Sequence, residues 1–312
     1  MKNSYFITGG SGFLGRSIAI NLAKDKNNLI KIFDNNYRGY KDLNIIRKKN
    51  IKYIKGDVRN YNSIKKKLSK KDIVIHLAFI NGTKFFYSKP HEVLEIGIKG
   101  LMNVVDACKE KKIKKLILAS SSEVYNEPID IPTPEEEPIK IPNIHNPRFS
   151  YSGGKILTEL VGINYGRKYF KKLIIFRPHN VYGPNMGNEH VIPELIKKIK
   201  KSKTNVKIQG TGKEVRSFIY IDDFCDAFNS ILKKGKHLEI YNIGNSNPIS
   251  INNLVKLLKR LMKKENIKII KSKRSGGSSL NRCPKISKIK KLGYKQKISL
   301  EKGIKKTIEW YI

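Results

Sequence analysis

Residues 2–15 read Lys2-Asn-Ser-Tyr-Phe-Ile-Thr8-Gly9-Gly-Ser-Gly12-Phe13-Leu14-Gly15. The first half of this stretch is a run of β-branched and aromatic residues that predicts a strand, and an amphipathic helix follows the glycines to about residue 25. Glycines at this spacing permit a tight turn, a close approach of the backbone to a pyrophosphate and close packing of helix on strand. The helix N-terminus then faces the phosphates. We therefore predict dinucleotide binding by Gly9, Gly12, Phe13, Leu14 and Gly15.

The second predicted strand favours one dinucleotide over another. It covers residues 29–33 and ends in Asp34, about 20 residues after the glycines. A carboxylate at this position accepts hydrogen bonds from a ribose diol and repels a 2'-phosphate, so NAD is favoured over NADP. Arg38 lies close enough in the sequence to keep NADP as an alternative.

Apolar strands alternate with helices through the N-terminal half of the chain. Further strands are predicted at residues 51–55, 73–78 and 115–120, with a helix over residues 60–69. Continuous apolar strands that alternate with helices predict a Rossmann-type α/β fold with a doubly wound parallel sheet. Asp57 and Val58 follow one strand and are expected to meet the adenine. Leu77 and Ala78 end another, where we expect them to line the cofactor site.

Lysine dominates the composition. The formal net charge is +38, from 64 Lys and Arg residues against 26 Asp and Glu. The charge is spread along the whole chain without a basic stripe interleaved with aromatic residues, so we expect no nucleic-acid partner, although anionic small molecules should be favoured. The three cysteines lie far apart, which predicts neither a disulfide framework nor a metal site. No apolar run approaches the ~20 residues of a membrane span, and we expect a cytoplasmic protein with no membrane partner.

A cluster of hydroxyl groups, Ser120-Ser121-Ser122-Glu123, stands at the carboxyl end of the predicted strand 115–120, where open α/β sheets bind ligands. Tyr151 and Lys155 are four residues apart on a predicted helix, so their side chains project from one face. A phenol titrates near pH ~10, and a nearby ammonium group favours the phenolate. The pair can therefore take a proton from a substrate hydroxyl while hydride leaves to a nicotinamide, and Ser121 can relay that proton.

These motifs belong to an ordered series that continues towards the C-terminus. The series is Gly9-x-x-Gly12-x-x-Gly15, Asp34, Gly56-Asp57-Val58, His76-Leu-Ala, Ser121, Tyr151-x-x-x-Lys155, Arg177-Pro-x-Asn180-Val-Tyr-Gly-Pro184 and Arg216-x-Phe-x-Tyr-x-Asp222-Asp223. Over essentially its whole length the chain resembles the extended short-chain dehydrogenase/reductase family, specifically the NAD-dependent nucleotide-sugar epimerases and dehydratases. The resemblance implies that Ser121, Tyr151 and Lys155 are catalytic, with Lys155 also holding the nicotinamide ribose. It further implies that a nucleotide-diphosphate sugar is held by Asn180, Arg216 and Arg274.

The chain is expected to form two domains. Residues 1–178 are predicted to form the NAD-binding Rossmann domain, to which residues 216–245 return, and residues 179–312 to form mainly a smaller α/β domain that binds the nucleotide sugar. The family resemblance also implies a homodimer through a four-helix bundle, built from the helix near residues 90–111 and the helix of Tyr151.

The two residues after Ser121 bear on the choice of reaction. Dehydratases of the family usually have Asp and then Glu here, as the acid and the base of 4,6-elimination, whereas this chain has Ser122 and Glu123. The leading prediction is therefore a nucleotide-sugar 4-epimerase, which oxidises the C4 hydroxyl to a 4-keto intermediate with tightly bound NAD. Glu123 remains a candidate catalytic residue, and Ser122 a candidate substrate contact. The alternatives are a UDP-glucuronate-type decarboxylase, which the Ser-Glu-Val-Tyr combination resembles, a 4,6-dehydratase, a C4 dehydrogenase, and a non-catalytic NAD-binding sensor.

Three smaller features complete the predictions. Gly97 stands where the family commonly has Asn. The only acidic block, at residues 135–137, is expected to form the solvated edge of a flap, and residues 206–208 and 217–221 are expected to form a strand pair.

Overall fold

The computed structural model describes residues 3–37, 48–272, 276–277 and 279–312. The chain divides into two compact units. The first contains residues 1–124, 143–177 and 228–241, and the second contains residues 125–142, 178–227 and 242–312.

The first unit is built on a seven-stranded sheet. The strands of the sheet are β1 (Ser4–Thr8), β2 (Leu29–Asp34), β3 (Ile51–Lys55), β4 (Asp72–His76), β5 (Lys115–Ala119), β6 (Lys172–Pro178) and, numbered by its place in the whole chain, β11 (Glu239–Ile243). The last residues of β6 and β11, from 178 and from 242, are assigned to the second unit. They lie in the order β11-β6-β5-β4-β1-β2-β3, and the pairs from β6 to β3 are parallel. The order reverses between β1 and β4, which is the point where sheets of this kind bind ligands at their carboxyl ends. The predicted Rossmann-type sheet is confirmed.

Helices flank this sheet. They are α1 (Phe13–Leu22), α2 (Tyr61–Lys67), α3 (Thr83–Ser88), α4 (Pro90–Leu94), α5 (Gly100–Glu110) and α6 (Phe149–Tyr169). A π-helical segment, Glu95–Lys99, joins α4 to α5. The helix predicted near residues 90–111 is thus present, but apolar periodicity does not reveal the wider turn within it.

The core of the first unit covers both faces of the sheet. Phe6 and Ile7 of β1 are both fully buried, as are Leu116 and Ile117 of β5. Consecutive strand residues point to opposite faces, so both faces must be covered. Each fully buried side chain of this size contributes about 1.5–3 kcal/mol relative to exposure.

The second unit contains shorter elements. Its strands are β7 (Val181–Tyr182), β8 (Asn205–Lys207), β9 (Val215–Ser217), β10 (Ile219–Tyr220), β12 (Pro248–Ser250), β13 (Lys268–Ile270) and β14 (Asn281–Arg282). Its helices are α7 (Val191–Lys201), α9 (Ile251–Leu261), α10 (Ser287–Lys290), α11 (Leu300–Tyr311) and the first half of α8 (Ile221–Lys234).

Two expectations about the second unit are wrong. The strands near residues 206 and 217 do not pair with each other, because β8 pairs with β13, whereas β9 pairs with β12 and β14. The acidic block is not a solvated edge either. Glu135 is buried and accepts a hydrogen bond of 2.8 Å from the Asn242 backbone N–H, and Glu137 is buried and accepts one of 2.6 Å from Ile129 N–H. Backbone donors thus replace water around two of the three carboxylates.

All three cysteines, Cys108, Cys225 and Cys283, are buried thiols. Burial raises the pKa of the Cys108 thiol well above its usual range. Among the helices of the described residues, none is long and apolar enough to cross a bilayer.

Candidate active site

The glycine-rich loop between β1 and α1 has the geometry of a phosphate cradle. Gly9 has a φ of +67°, and a Cβ atom there would lie 2.7 Å from the backbone nitrogen of Ala78. A Cβ at Gly15 would overlap the Gly9 carbonyl oxygen, so the helix can approach the strand only without a side chain there. Gly12 caps α1 without a side-chain hydrogen bond, and Phe13 and Leu14 form the half-buried first turn. The free N–H groups of that turn suit a pyrophosphate.

Asp34 ends β2 beside this loop. One carboxylate oxygen accepts a hydrogen bond of 3.0 Å from Ser11 N–H, and the other accepts one of 2.7 Å from Asn36 N–H. Each oxygen keeps lone-pair capacity for a ribose hydroxyl. The glycine-rich loop and Asp34 at the end of β2 therefore fit NAD. Arg38 lies outside the described residues.

Asp57, expected near the adenine, is held by Arg59. The guanidinium donates hydrogen bonds of 3.1 and 2.8 Å to the two carboxylate oxygens, and Asn35 donates one of 3.0 Å. These bonds, led by those from Arg59, hold the pKa of the Asp57 carboxyl at about 2. The neighbouring Val58 is buried, and its carbonyl accepts a hydrogen bond of 3.0 Å from Asn103. Asp57 is thus a fixed anion.

The carboxyl ends of β1 and β4 meet at the switch in strand order. The Thr8 hydroxyl lies 2.7 Å from His76 Nδ1 in a buried hydrogen bond, and Leu77 N–H donates to the Thr8 carbonyl at 3.1 Å. Burial, with a smaller effect from the charge of Lys155, lowers the pKa of His76 to about 3. His76 is therefore neutral at physiological pH. Leu77 and Ala78 are half-buried beyond it.

The serine cluster follows β5 and opens a short 3₁₀ turn, Ser122–Tyr125. Ser121 and Ser122 are 7% and 6% exposed, and the Ser121 hydroxyl oxygen accepts a hydrogen bond of 3.2 Å from Glu123 N–H. The Glu123 carboxylate lies 3.6 Å from the Arg148 guanidinium, just before α6. The first unit thus brings the hydroxyl cluster and an ion-paired carboxylate together.

Tyr151 and Lys155 project from α6 towards the end of β5. The Lys155 ammonium donates a hydrogen bond of 2.7 Å to the Ala119 carbonyl and lies 5.8 Å from the centre of the Tyr151 ring. Both side chains are about 95% buried. Burial lowers the pKa of Lys155 to about 7, and the charge of Glu159 partly offsets that effect.

A buried ion pair beside Lys155 was not predicted. Glu159 accepts hydrogen bonds of 2.8 and 2.6 Å from Arg177, and a further short one from the Ser120 hydroxyl. Its position four residues after Lys155, on the same helix face, is a signal that could have identified it. Arg148 has no comparable sequence signal, because its role depends on where the chain enters α6.

The predicted substrate contacts Asn180 and Arg216 lie in the second unit. Asn180 has a φ of +39°, and its side chain donates a hydrogen bond of 3.1 Å to the Ser217 carbonyl. The Arg216 guanidinium donates to the carbonyls of Ser279 and Leu280 at 2.8 and 3.0 Å. Arg274 lies outside the described residues.

Comparisons with known proteins agree on the family and differ in reaction. The family model described as the NAD dependent epimerase/dehydratase family matches residues 5–244. The chain is 32% identical to dTDP-D-glucose 4,6-dehydratase of Bos taurus over 98% of this chain and 87% of that one. It is 30% identical to UDP-N-acetyl-alpha-D-glucosaminuronate decarboxylase of Bacillus cytotoxicus, over 100% and 98%. Among solved structures, UDP-N-acetylglucosamine 4-epimerase of Methanobrevibacter ruminantium M1 has a TM-score of 0.88 at 26% identity, over 99% and 98%.

The matched family model covers far more than half of the chain, and both relatives span nearly all of it. The family confirms the predicted cofactor, NAD. The relatives do not distinguish between the possible reactions, because they include a dehydratase, a decarboxylase and an epimerase. The chain belongs to the NAD dependent epimerase/dehydratase family and is an NAD-dependent enzyme of this class.

Proposed function

We propose that the protein is a nucleotide-sugar 4-epimerase that acts by transient oxidation of the sugar C4 hydroxyl. NAD, when bound, supplies the hydride acceptor and then the hydride donor for C4. Tyr151 accepts the C4 hydroxyl proton, Ser121 bonds the same oxygen and relays the proton, and Lys155 stabilises the phenolate. The glycine loop and Asp34 hold the cofactor.

The observation that carries this proposal is the environment of Glu123. Elimination needs an acid for the leaving hydroxyl and a base for C5, and Ser122 occupies the position of the acid. The Glu123 carboxylate, which would have to be that base, is engaged in an ion pair with the Arg148 guanidinium at 3.6 Å. Epimerisation needs neither an acid nor a base at these positions. The 4-ketosugar rotates in the site, and hydride then returns to the opposite face of C4.

Decarboxylation of a nucleotide-linked uronate is the second candidate, and Arg148 favours it. This residue is 8% exposed, and its Nε atom has no hydrogen-bond partner in the part of the chain that the structure describes. A buried guanidinium can bind a uronate carboxylate. Oxidation at C4 would then give a β-keto acid. Its C5–C6 bond breaks, carbon dioxide leaves, and the electron pair of that bond forms an enolate, which is protonated at C5.

The substrate in either case is proposed to be a nucleotide-diphosphate sugar. Asn180 and Arg216, with Arg274, are the proposed contacts of the diphosphate, since amide donors and guanidinium groups suit phosphate oxygens. A net charge of +38 also favours an anionic substrate.

Product analysis tests the proposal. The purified protein is incubated with UDP-, dTDP- and GDP-hexoses and with UDP-uronates, and the sugars are followed by NMR. The expected product is the C4 epimer. A pentose would establish decarboxylation, a 4-keto-6-deoxy sugar would establish dehydration, and stoichiometric NADH with a stable 4-ketosugar would establish net oxidation. No turnover of any of these sugars by NAD-bound protein would contradict the proposal and favour a sensor.

A further inference from the structure

We propose that Phe79 is a positioning residue of the active site, whose ring holds the ammonium group of Lys155 and whose place is created by Gly97 and Gly154. The inference rests on the proposed catalytic role of Lys155 and adds a residue that the family motifs do not contain.

The ring of Phe79 forms one wall of the lysine site. Its centre lies 4.2 Å from Lys155 Nζ, within the range of a cation–π interaction. The Ala119 carbonyl accepts one ammonium proton at 2.7 Å. Because the Lys155 side chain is 4% exposed, an aromatic face can stabilise the cation in place of solvent, without competing for the Tyr151 oxygen.

The same ring orders Tyr151. Phe79 meets the Tyr151 ring edge-on, with centres 5.2 Å apart and an angle of 84° between the planes. Phe86 stacks on Tyr151, with centres 4.8 Å apart and planes 17° apart. Phe79 therefore contacts both members of the pair, whereas Phe86 packs on the tyrosine.

Two glycines make room for the ring. A Cβ atom at Gly97 would overlap the Phe79 ring, and one at Gly154 would lie 2.7 Å from its Cζ atom. Gly97 lies in the π-helical segment, at the position where the family commonly has Asn. The phenyl ring of Phe79 thus occupies the space that a side chain at position 97 would need. The glycine in place of the usual Asn is therefore matched by a phenylalanine at position 79.

Burial already makes the charge on Lys155 marginal, because it lowers the pKa of this group to about 7. The other ionisable groups that face Lys155 are Glu159, which favours its charge, Tyr151, and neutral His76, whose pKa is lowered. Loss of the aromatic face should lower the pKa of Lys155 further. Catalysis needs the ammonium form, so the alkaline limb of activity should move to lower pH.

Phe79→Leu removes the aromatic face and keeps an apolar side chain, and Phe86→Leu is the matched control because it removes the ring that stacks on Tyr151. The first readout needs no substrate. The pH dependence of the melting temperature contains the titration of Lys155, which is isolated as the difference from the Lys155→Met variant. The lower midpoint of this difference should fall by about one pH unit in Phe79→Leu and stay in place in Phe86→Leu.

The second readout is kcat against pH. The alkaline limb of Phe79→Leu should move down by about one unit, a tenfold loss on that side, with NAD still bound. An unchanged midpoint in folded Phe79→Leu, or an equal shift in Phe86→Leu, would overturn the proposal. If Phe79→Leu does not fold, Gly97→Ala, which must displace the ring, should give the same shift, and its absence would overturn the proposal. Failure of the proposed function is separate, because it appears as absent turnover in the unaltered protein.

Discussion

The ammonium group of Lys155 lies in surroundings that oppose its charge. It is 4% exposed, with the Ala119 carbonyl as acceptor and the rings of Phe79 and Tyr151 at 4.2 and 5.8 Å. Its charged form therefore depends on a few neighbours, and each of them can be tested by substitution.

Tyr151→Phe removes the hydroxyl that we propose accepts the substrate proton, and it keeps the ring between Phe79 and Phe86. We expect kcat to fall by about 10²–10⁴ while NAD remains bound. Steady-state kinetics with cofactor analysis of the purified protein checks this. Tyr165→Phe, on the same helix, is the control and should keep full activity. Unchanged activity in Tyr151→Phe would remove the tyrosine from the mechanism.

Lys155→Met should abolish activity and yet stabilise the fold near neutral pH. In the folded chain the pKa of Lys155 is about 7, below its ordinary value of 10.5, so the unfolded chain binds more protons between these values and stability rises with pH across that window. The methionine variant has no buried ammonium group to deprotonate on folding. Its free energy of unfolding should therefore exceed that of the unaltered protein by on the order of 4 kcal/mol at or below pH 7, and by nothing above pH ~10.

Denaturant unfolding at several pH values measures this difference. Lys115→Met is the control, because burial lowers the pKa of Lys115 to about 8 at a position outside the site. It should show a smaller gain with activity retained. A stability difference for Lys155→Met that does not vary with pH would contradict the stated environment of the lysine.

At the scale of elements, a buried ion pair joins α6 to β6. Arg177 and Glu159 are about 3–4% exposed, and the Ser120 hydroxyl at the end of β5 donates to the same carboxylate. In a buried pair of this kind each charge depends on its partner, because water cannot solvate a charge that loses that partner. The pair thus joins the helix that carries Lys155 to the neighbouring strand β6.

Glu159→Gln keeps the shape of the side chain and removes its charge. Because Arg177 then lacks its buried counter-ion, we expect a loss of about 3–5 kcal/mol in the free energy of unfolding, measured by denaturant titration. Activity should also move to lower pH, since the charge of Glu159 raises the pKa of Lys155. Glu92→Gln, in the half-exposed pair with Lys89, should leave stability nearly unchanged. Equal effects in both variants would contradict the structural role of the buried pair.

Elements with strong periodicity were predictable from sequence, and those decided by long-range contacts were not. The glycine loop and the parallel strands follow from local patterns of apolar residues. The partner of β8 is β13, about 60 residues away in sequence, and no local pattern encodes that choice. The burial of Glu135 similarly depends on a backbone donor at Asn242.

The residues of the candidate site fall into the same two groups, those that a local motif predicts and those that only the folded chain reveals. Motifs predicted Ser121, Tyr151 and Lys155, and the structure places all three in the first unit. Phe79 and Arg148 belong to no motif, and their importance comes only from the side chains that the fold places beside them. The homodimer implied by the family resemblance stays a prediction.

For the whole molecule, the net charge of +38 should act on substrate capture. A dianionic sugar nucleotide is attracted over a distance that salt shortens, with a Debye length near ~30 Å at 0.01 M and ~8 Å at 0.15 M. We expect KM to rise severalfold across this range with kcat unchanged, as measured by initial rates at constant pH. Equal effects of NaCl and KCl would exclude a specific ion effect, and a KM independent of ionic strength would show that the surplus charge is irrelevant to binding.

The three buried cysteines also give this protein a built-in set of conformational reporters. Cys108 belongs to the first unit and Cys225 and Cys283 to the second, so alkylation at each thiol must await an opening event in the unit that contains it. Mass spectrometry of a timed alkylation would assign opening rates to the two units without any engineered label. Adding NAD should slow the reaction at Cys108 if the cofactor binds the first unit.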